Sequence, residues 1–214
     1  MFIVFEGMDG SGKTTAIKKC YDFLKENNRD VVLIREPGST LIAEKIRNVI
    51  VDKENTAMNK YTESLMFAAA RSELVEKEIN PAIGAGKIIL CDRYVYSSFI
   101  YQGLARGVDI KSLIEMHHFA PVPDLVVVLR TEPEVAMKRI ADARQETNRL
   151  DNESMDFYKR IDIGYRSIKN LKSRFTTGIN ILTIDNTTYS PDETFETLKK
   201  TVLKDVLYRS VEVR

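Results

Sequence analysis

Five short apolar runs divide the chain: residues 2–5 (FIVF), 31–34 (VVLI), 88–91 (IILC), 125–129 (LVVVL) and 179–184 (INILTI). None alternates apolar with polar, so each reads as a strand buried on both faces. Helical periodicity fills the intervals. Residues 15–27 carry Ile17, Cys20, Tyr21 and Leu24 on one side, and residues 41–51 carry Ile42, Ile46, Val49 and Ile50. A long helical pattern runs over 59–83, interrupted at Pro81 and closed by Gly84 and Gly86. Further helices are predicted after Tyr94 to about Gln102, over 110–119 ahead of Pro121 and Pro123, and from 133 to 141 with Pro133 in the first turn. The pattern returns over 152–175 and 191–207, where Val202 and Leu203 fall on the buried side. Residues 142–151 are mostly charged or amide-bearing and have no apolar period, which predicts a mobile lid. From about Tyr208 to residue 214 the tail is expected to fray. Strands alternating with helices predict one α/β domain over 1–214, a doubly wound five-stranded parallel sheet with helices on both faces.

The first strand leads into Gly7-Met8-Asp9-Gly10-Ser11-Gly12-Lys13-Thr14, which fits the P-loop pattern GxxxxGK[ST]. Glycines let successive backbone N–H groups turn inward toward a phosphate, and the helix that follows adds its positive end. Lys13 can reach terminal phosphates, and the Thr14 hydroxyl can hold a magnesium ion. By chance the pattern arises in roughly one chain of this length in a hundred. Here a strand precedes it and a helix follows. A nucleoside triphosphate site in a P-loop NTPase fold is the expectation.

Composition narrows the field. Lys plus Arg is 32 and Asp plus Glu is 31 in 214 residues. That balance argues against a general nucleic-acid or membrane-surface binder. No apolar stretch reaches 18 residues, and the first strand begins at once, so neither a membrane span nor a signal peptide is expected. Cys20 and Cys91 have no CxxC partner and no metal-ligand spacing. Both read as buried thiols in a reducing, cytoplasmic setting.

A second constellation lies further along. The third strand ends in Asp92, which reads as a magnesium-ordering carboxylate or as the cap of the next helix. Arg35, Arg47, Arg71, Arg93, Arg144 and Arg149 fall near predicted strand ends and loops. Phosphoryl transfer asks the protein mainly for placed positive charge, and a second phosphorylated substrate needs its own fork of donors. Phe67 and Arg71 are four apart on one helix face with only alanines between them, room for a flat base beside a guanidinium. The bland alternative is a core phenylalanine next to a surface arginine.

With these residues in place the chain resembles the thymidylate kinase family over essentially its whole length. The resemblance is carried by GMDGSGKTT at 7–15, REPGST at 35–40, AEKIR at 43–47, LMFAAAR at 65–71, CDRYVYSSFIYQG at 91–103, PDLVVVL at 123–129 and NRLDNES at 148–154. It implies transfer of the γ-phosphoryl group of ATP to dTMP, with Mg²⁺, in a cytoplasmic homodimer. Rival readings are a kinase for another nucleoside monophosphate, and a P-loop ATPase switch. The resemblance also implies roles. The loop from Gly7 to Thr15, through Met8, Asp9, Gly10, Ser11, Gly12, Lys13 and Thr14, holds ATP, and Arg139 packs on adenine. Thr14 and Asp92 order the metal. Phe67 stacks on thymine and Arg71 meets its O4. Ser98 and Gln102 contact the base, with Ser97 in support, and Tyr101 crowds the 2′ position of the sugar. Arg47 and Arg93 hold the acceptor phosphate, and Asp9 meets the 3′-hydroxyl. Arg35 and Glu36 line the transfer region. The variable P-loop positions hold no arginine, so the chain resembles the bacterial, lid-arginine type, with Arg144 and Arg149 as the candidates for its catalytic arginine. Ser39 departs from the family, which usually has a second glycine there.

Overall fold

Each of the five runs is a strand in the computed structural model, which describes residues 1–143, 149 and 153–209. β1 (Phe2–Glu6), β2 (Val31–Arg35), β3 (Ile88–Asp92), β4 (Leu125–Arg130) and β5 (Asn180–Asp185) form one sheet in the order β2-β3-β1-β4-β5. All neighbours are parallel. Strand pleating sends alternate side chains to opposite faces. Ile3, Phe5, Leu90, Val127 and Leu129 therefore pack on one face with Ile17, Cys20 and Leu24 of α1 (Lys13–Glu26) and with Leu198, Val202 and Leu203. Phe2, Val4, Ile89, Cys91, Val126 and Val128 pack on the other with Tyr94, Phe99, Phe157, Ile161 and Tyr165. Continuous apolar runs are what two-faced burial requires in β1, β3 and β4. The edge strands depart from the expectation, with Leu33 of β2 and Thr183 of β5 exposed because no further strand or helix of the described residues covers them there.

The chain leaves β1 toward one edge of the sheet and β3 toward the other. A crevice opens above the C-terminal ends of strands where connections diverge in this way. β1 ends there in Glu6, β2 in Arg35, β3 in Asp92 and β5 in Asp185.

The helical layer differs from the sequence expectation in five places. α2 (Leu41–Val51) is as expected, capped by Thr40. α3 (Lys60–Leu74) passes through a π-helical turn, Val75–Ile79, into α4 (Asn80–Gly84). Pro81 thus sits in the first turn of α4 and does not break the run, because its missing N–H falls where the wider turn changes register. α5 (Val95–Ser98) likewise widens into a π-helical stretch, Phe99–Ala105, ahead of α6 (Ile110–Met116). α7 (Pro133–Ala143) carries helix to Ala143, two residues past the predicted lid start; 144–148 and 150–152 lie outside the described residues. α8 (Met155–Ser167) stops well before residue 175. A short turn at Ile168–Asn170 follows, and Phe175 is fully buried from a loop in which Thr176 N donates to Ser173 O. Its burial, not its helicity, produced the apolar period. Finally α9 (Pro191–Leu198), a π-turn and α10 (Lys204–Arg209) keep the backbone helical past the predicted fraying point at Tyr208.

Candidate active site

The cradle after β1 is shaped by glycine. Gly7, Gly10 and Gly12 all have positive φ, at 144°, 76° and 85°. A Cβ on Gly7 would stand 2.3 Å from the Leu129 carbonyl oxygen of β4, and one on Gly10 would stand 2.2 Å from the Ala136 carbonyl oxygen of α7. The loop is therefore wedged between β4 and α7 at a spacing only glycine permits. Met8 buries its side chain in the core, so only its backbone faces the cradle. Its carbonyl accepts a hydrogen bond from Lys13 Nζ at 3.1 Å. Burial lowers the Lys13 pKa, and the Arg93 charge lowers it further. Asn186 Nδ2 donates to the Ser11 carbonyl at 2.6 Å. Asn186, Tyr189 and Pro191, from the β5–α9 connection, line a cleft with Gly10, Gly12, Thr15 and Arg139. Both terminal nitrogens of Arg139 donate to the Asn186 carbonyl at 3.2 Å. That connection, residues 185–190 between the fifth predicted strand and the last predicted helix, carried no reading from the sequence.

Thr14 Oγ1 donates to Asp92 Oδ2 at 2.8 Å, which joins the end of the cradle to the end of β3. Among the described residues no three His, Cys, Asp or Glu side chains gather as a metal cage. Two oxygen donors suit magnesium, which keeps several waters and takes its other ligands from phosphates.

A second cavity lies beside the first. It is lined by Asp9, Glu36, Pro37, Arg47, Val51, Phe67, Arg71, Arg93, Ser97, Ser98, Tyr101, Gln102 and Arg106. Ten of these were candidates from sequence; Pro37, Val51 and Arg106 were not. Arg35 does not line it. Its guanidinium is half-exposed and paired with Glu44 of α2 at 2.5 Å. Arginines outnumber carboxylates four to two along the wall, so the cavity favours an anion. Arg93, held just after β3 in a left-handed backbone conformation (φ 71°), lines the acceptor cavity and reaches Asp9 of the cradle. It donates to Asp9 of the cradle and to Ser97, each at 3.0 Å. Arg47 donates to the Pro37 carbonyl at 3.2 Å, and burial, with Arg35 nearby, lowers its pKa. Among the described residues it has no carboxylate in ion-pair range. Phe67 is half-buried, and no ring or cation stacks on it there.

Behind the lining sit acidic groups that no motif announced. Glu6 is fully buried and accepts from the backbone N–H groups of Tyr94 and Ser97, from Ser97 Oγ and from Tyr165. It fixes the start of α5. Glu63, also buried, accepts from Gln102 Nε2 at 2.9 Å, Arg106 Nε at 2.6 Å and Arg149 Nη2 at 2.7 Å. A carboxylate only accepts, so the amide nitrogen of Gln102 faces Glu63 and its carbonyl oxygen is turned elsewhere. Arg149, expected over the phosphates, is thus drawn to a buried carboxylate and to the Ile50 carbonyl at 2.8 Å. Arg144 lies outside the described residues. Glu36 and Arg71 form a buried pair at 2.7 Å. Burial pushes the Glu36 carboxyl up to about 7, against the opposing pull of Arg71, and its Oε1 has no partner.

A sequence profile described as thymidylate kinase matches residues 5–185. A thymidylate kinase of Finegoldia magna is 46% identical over 173 residues, 79% of this chain and 85% of that protein. One of Clostridium novyi is 45% identical over 168 residues, 77% of this chain and 82% of that protein. Among solved structures, the thymidylate kinase of Ehrlichia chaffeensis superposes with a TM-score of 0.72 at 28% identity, covering 97% of this chain and 98% of that one.

Proposed function

The chain belongs to the thymidylate kinase family, and on that premise we propose that its two cavities divide the transfer of the γ-phosphoryl group of ATP to dTMP between donor and acceptor. The glycine cradle, with Lys13, takes the ATP phosphates, and the cleft by Arg139 and Asn186 takes the adenosine end. Thr14 and Asp92 would hold a magnesium ion, which when bound would offset the negative charge of the phosphates. The second cavity takes dTMP. Arg47 and Arg93 bind its phosphate, Phe67 stacks on thymine, and the Gln102 carbonyl accepts from the base N3–H. Arg71 and Ser98 face O4. Arg93, paired with Asp9 of the cradle, holds the acceptor phosphate next to the donor site. No general base is required, because the attacking phosphate oxygen is already an anion.

The observation that carries this reading is the pairing, in one cavity, of a ring at Phe67 and a guanidinium at Arg47 that, among the described residues, have no stacking partner and no carboxylate in ion-pair range. A base and a phosphate are what those two groups lack. A coupled assay of ADP release, with dTMP, dUMP, dCMP and no acceptor, tests it. Release should depend on acceptor and be fastest with dTMP. Equal slow release without acceptor would instead mark an ATPase switch. The exposed Leu41, Ile42 and Val49 of α2 and Tyr61 and Leu65 of α3 support a homodimer through that face. No helix of the described residues is long and apolar enough to cross a membrane. Both cysteines are free and buried, which supports a cytoplasmic setting.

A further inference from the structure

Arg71 has five N–H donors, and every one has an acceptor. Nε and Nη2 both reach Glu36 Oε2 at 2.7 Å. Nη2 also reaches the Tyr94 carbonyl at 3.1 Å. Nη1 reaches Ser98 Oγ at 3.1 Å and the ring of His117, with Nε2 at 2.9 Å and Nδ1 at 3.1 Å. Glu36 and Ser98 line the acceptor cavity; Tyr94 and His117 do not. The guanidinium is therefore gripped from behind by two groups and met in front by two.

We propose that His117 is a positioning residue for acceptor-base selection, holding Arg71 Nη1 from behind so that only its other N–H can be offered to the ligand. His117 closes α6 and is fully buried between Phe99 and Phe119. A residue that merely filled this space would need no ring nitrogen within 3 Å of a buried cation. So close to both nitrogens, Nη1 lies over the ring face, and the neutral ring receives its N–H there through the π-cloud. Burial and the Arg71 charge keep the ring neutral, its pKa down at about 2. Ser98 is the exchangeable partner. Its hydroxyl accepts from Nη1 in the structure, and it can turn to donate to a carbonyl of the ligand while Nη1 does the same. A carbonyl at that point is served twice. An amino group there would confront donors on both sides, a mismatch that is costly in a dry site.

The inference rests on the dTMP reading, and the test separates the two. His117→Leu keeps volume and removes the acceptor; His117→Gln restores a carbonyl that can accept from Nη1. His117→Met, unbranched and adaptable, replaces the leucine variant if that one does not fold. Steady-state kinetics with dTMP and dCMP, and thermal melts, are measured for each. For the acceptor-free variant KM for dTMP should rise roughly tenfold, the scale of one hydrogen bond to a charged group. The dTMP-over-dCMP preference should shrink, KM for ATP should not move, and kcat should stay within about threefold. The glutamine variant should recover most of the loss. An unchanged KM for dTMP, or KM for dTMP and ATP rising together with a fall in Tm and no rescue by glutamine, overturns the proposal. Wild-type protein that does not phosphorylate dTMP at all would overturn the functional reading instead.

Discussion

The donor cradle and the acceptor cavity lie side by side, yet they are built in opposite ways. The cradle is one contiguous loop that presents backbone. Its specificity lies in glycines whose positive φ and close approach to Leu129 and Ala136 admit no side chain. The acceptor cavity is assembled from β-strand ends and from α2, α3, α5 and the π-helical stretch after it, and it presents side chains. Those side chains are held by a buried layer of acceptors: Glu6, Glu36, Glu63 and His117. A backbone site needs no counter-charges. A side-chain site that gathers four arginines does, since an unpaired buried guanidinium is costly. Mutations should therefore act abruptly in the cradle and by degrees in the cavity.

The largest effect is expected at Lys13. Lys13→Ala removes the only side-chain cation of the cradle and should lower kcat by on the order of 10²–10³ or more, while the melting temperature stays near wild type. Burial already depresses the lysine's pKa, so the folded protein gains little from its charge. Near-normal turnover would refute the cradle's role.

Arg144 and Arg149 sharpen the contrast. Arg149 is tied to Glu63 behind the acceptor cavity. Arg149→Ala should raise KM for dTMP, by about tenfold, with little change in kcat. Arg144→Ala should do the reverse, with kcat falling on the order of 10³, as expected for an arginine that meets its target mainly in the reacting complex. Steady-state kinetics of both variants decide the assignment, and the opposite pattern would make Arg149 the catalytic arginine.

The same contrast explains what was legible in the sequence. The strands were plain because two-faced burial leaves no polar position in a run such as LVVVL. The cradle was plain because GxxxxGK[ST] is both contiguous and chemically narrow. The lining of the acceptor cavity came from the resemblance rather than from periodicity. Glu36 came with the resemblance, but Glu6, Glu63 and His117 were missed, and for a physical reason: Glu63 and His117 lie in, or at the end of, helices that carry other charged and polar residues. Their burial depends on what packs above them from distant segments. Phe175 shows the converse, since burial from a loop mimicked a helical period. Pro81 shows that a π-turn can absorb a residue that sequence rules treat as a break.

Glu36 gives an intermediate effect with a definite sign. Its carboxyl is raised by burial to about 7 from an ordinary value of 4.5. Between those values the folded state binds more protons than the unfolded one, so this group's contribution to stability is present in full below about pH 4.5 and is lost as pH rises toward 7. The slope cannot exceed about 1.4 kcal/mol per pH unit for one group. Urea unfolding of wild type and Glu36→Gln at pH 5 and pH 7.5 should show the variant gaining on wild type as pH rises. A difference independent of pH would mean that Arg71 holds Glu36 ionised throughout.

The smallest effect is expected at Ser39, the departure from the family pattern. Ser39 has φ 67°, the left-handed region that glycine occupies freely and other residues enter at a cost of roughly 1–2 kcal/mol. Ser39→Gly should remove that cost. It should also remove two hydrogen bonds, since Ser39 Oγ accepts from the Arg35 N–H at 2.9 Å and donates to the Arg35 carbonyl at 3.2 Å. An exposed bond of this kind is worth about 0.5–1.5 kcal/mol net. Glycine further loosens the unfolded chain, by roughly 0.4–1 kcal/mol against folding. The bond from the Ser39 N–H to Glu44 at 2.9 Å survives, and with it the Arg35–Glu44 pair that steers Arg35 away from the cavity. At mid-range the losses exceed the gain by about 1 kcal/mol, so stability should fall by about that much, and kcat/KM for dTMP should shift by less than about twofold. A larger loss would mean that the hydroxyl replaces the conformational freedom of glycine with a fixed turn on which Glu36 and Arg47 depend. The acceptor cavity would then depend on this loop two residues beyond Pro37, where its lining ends.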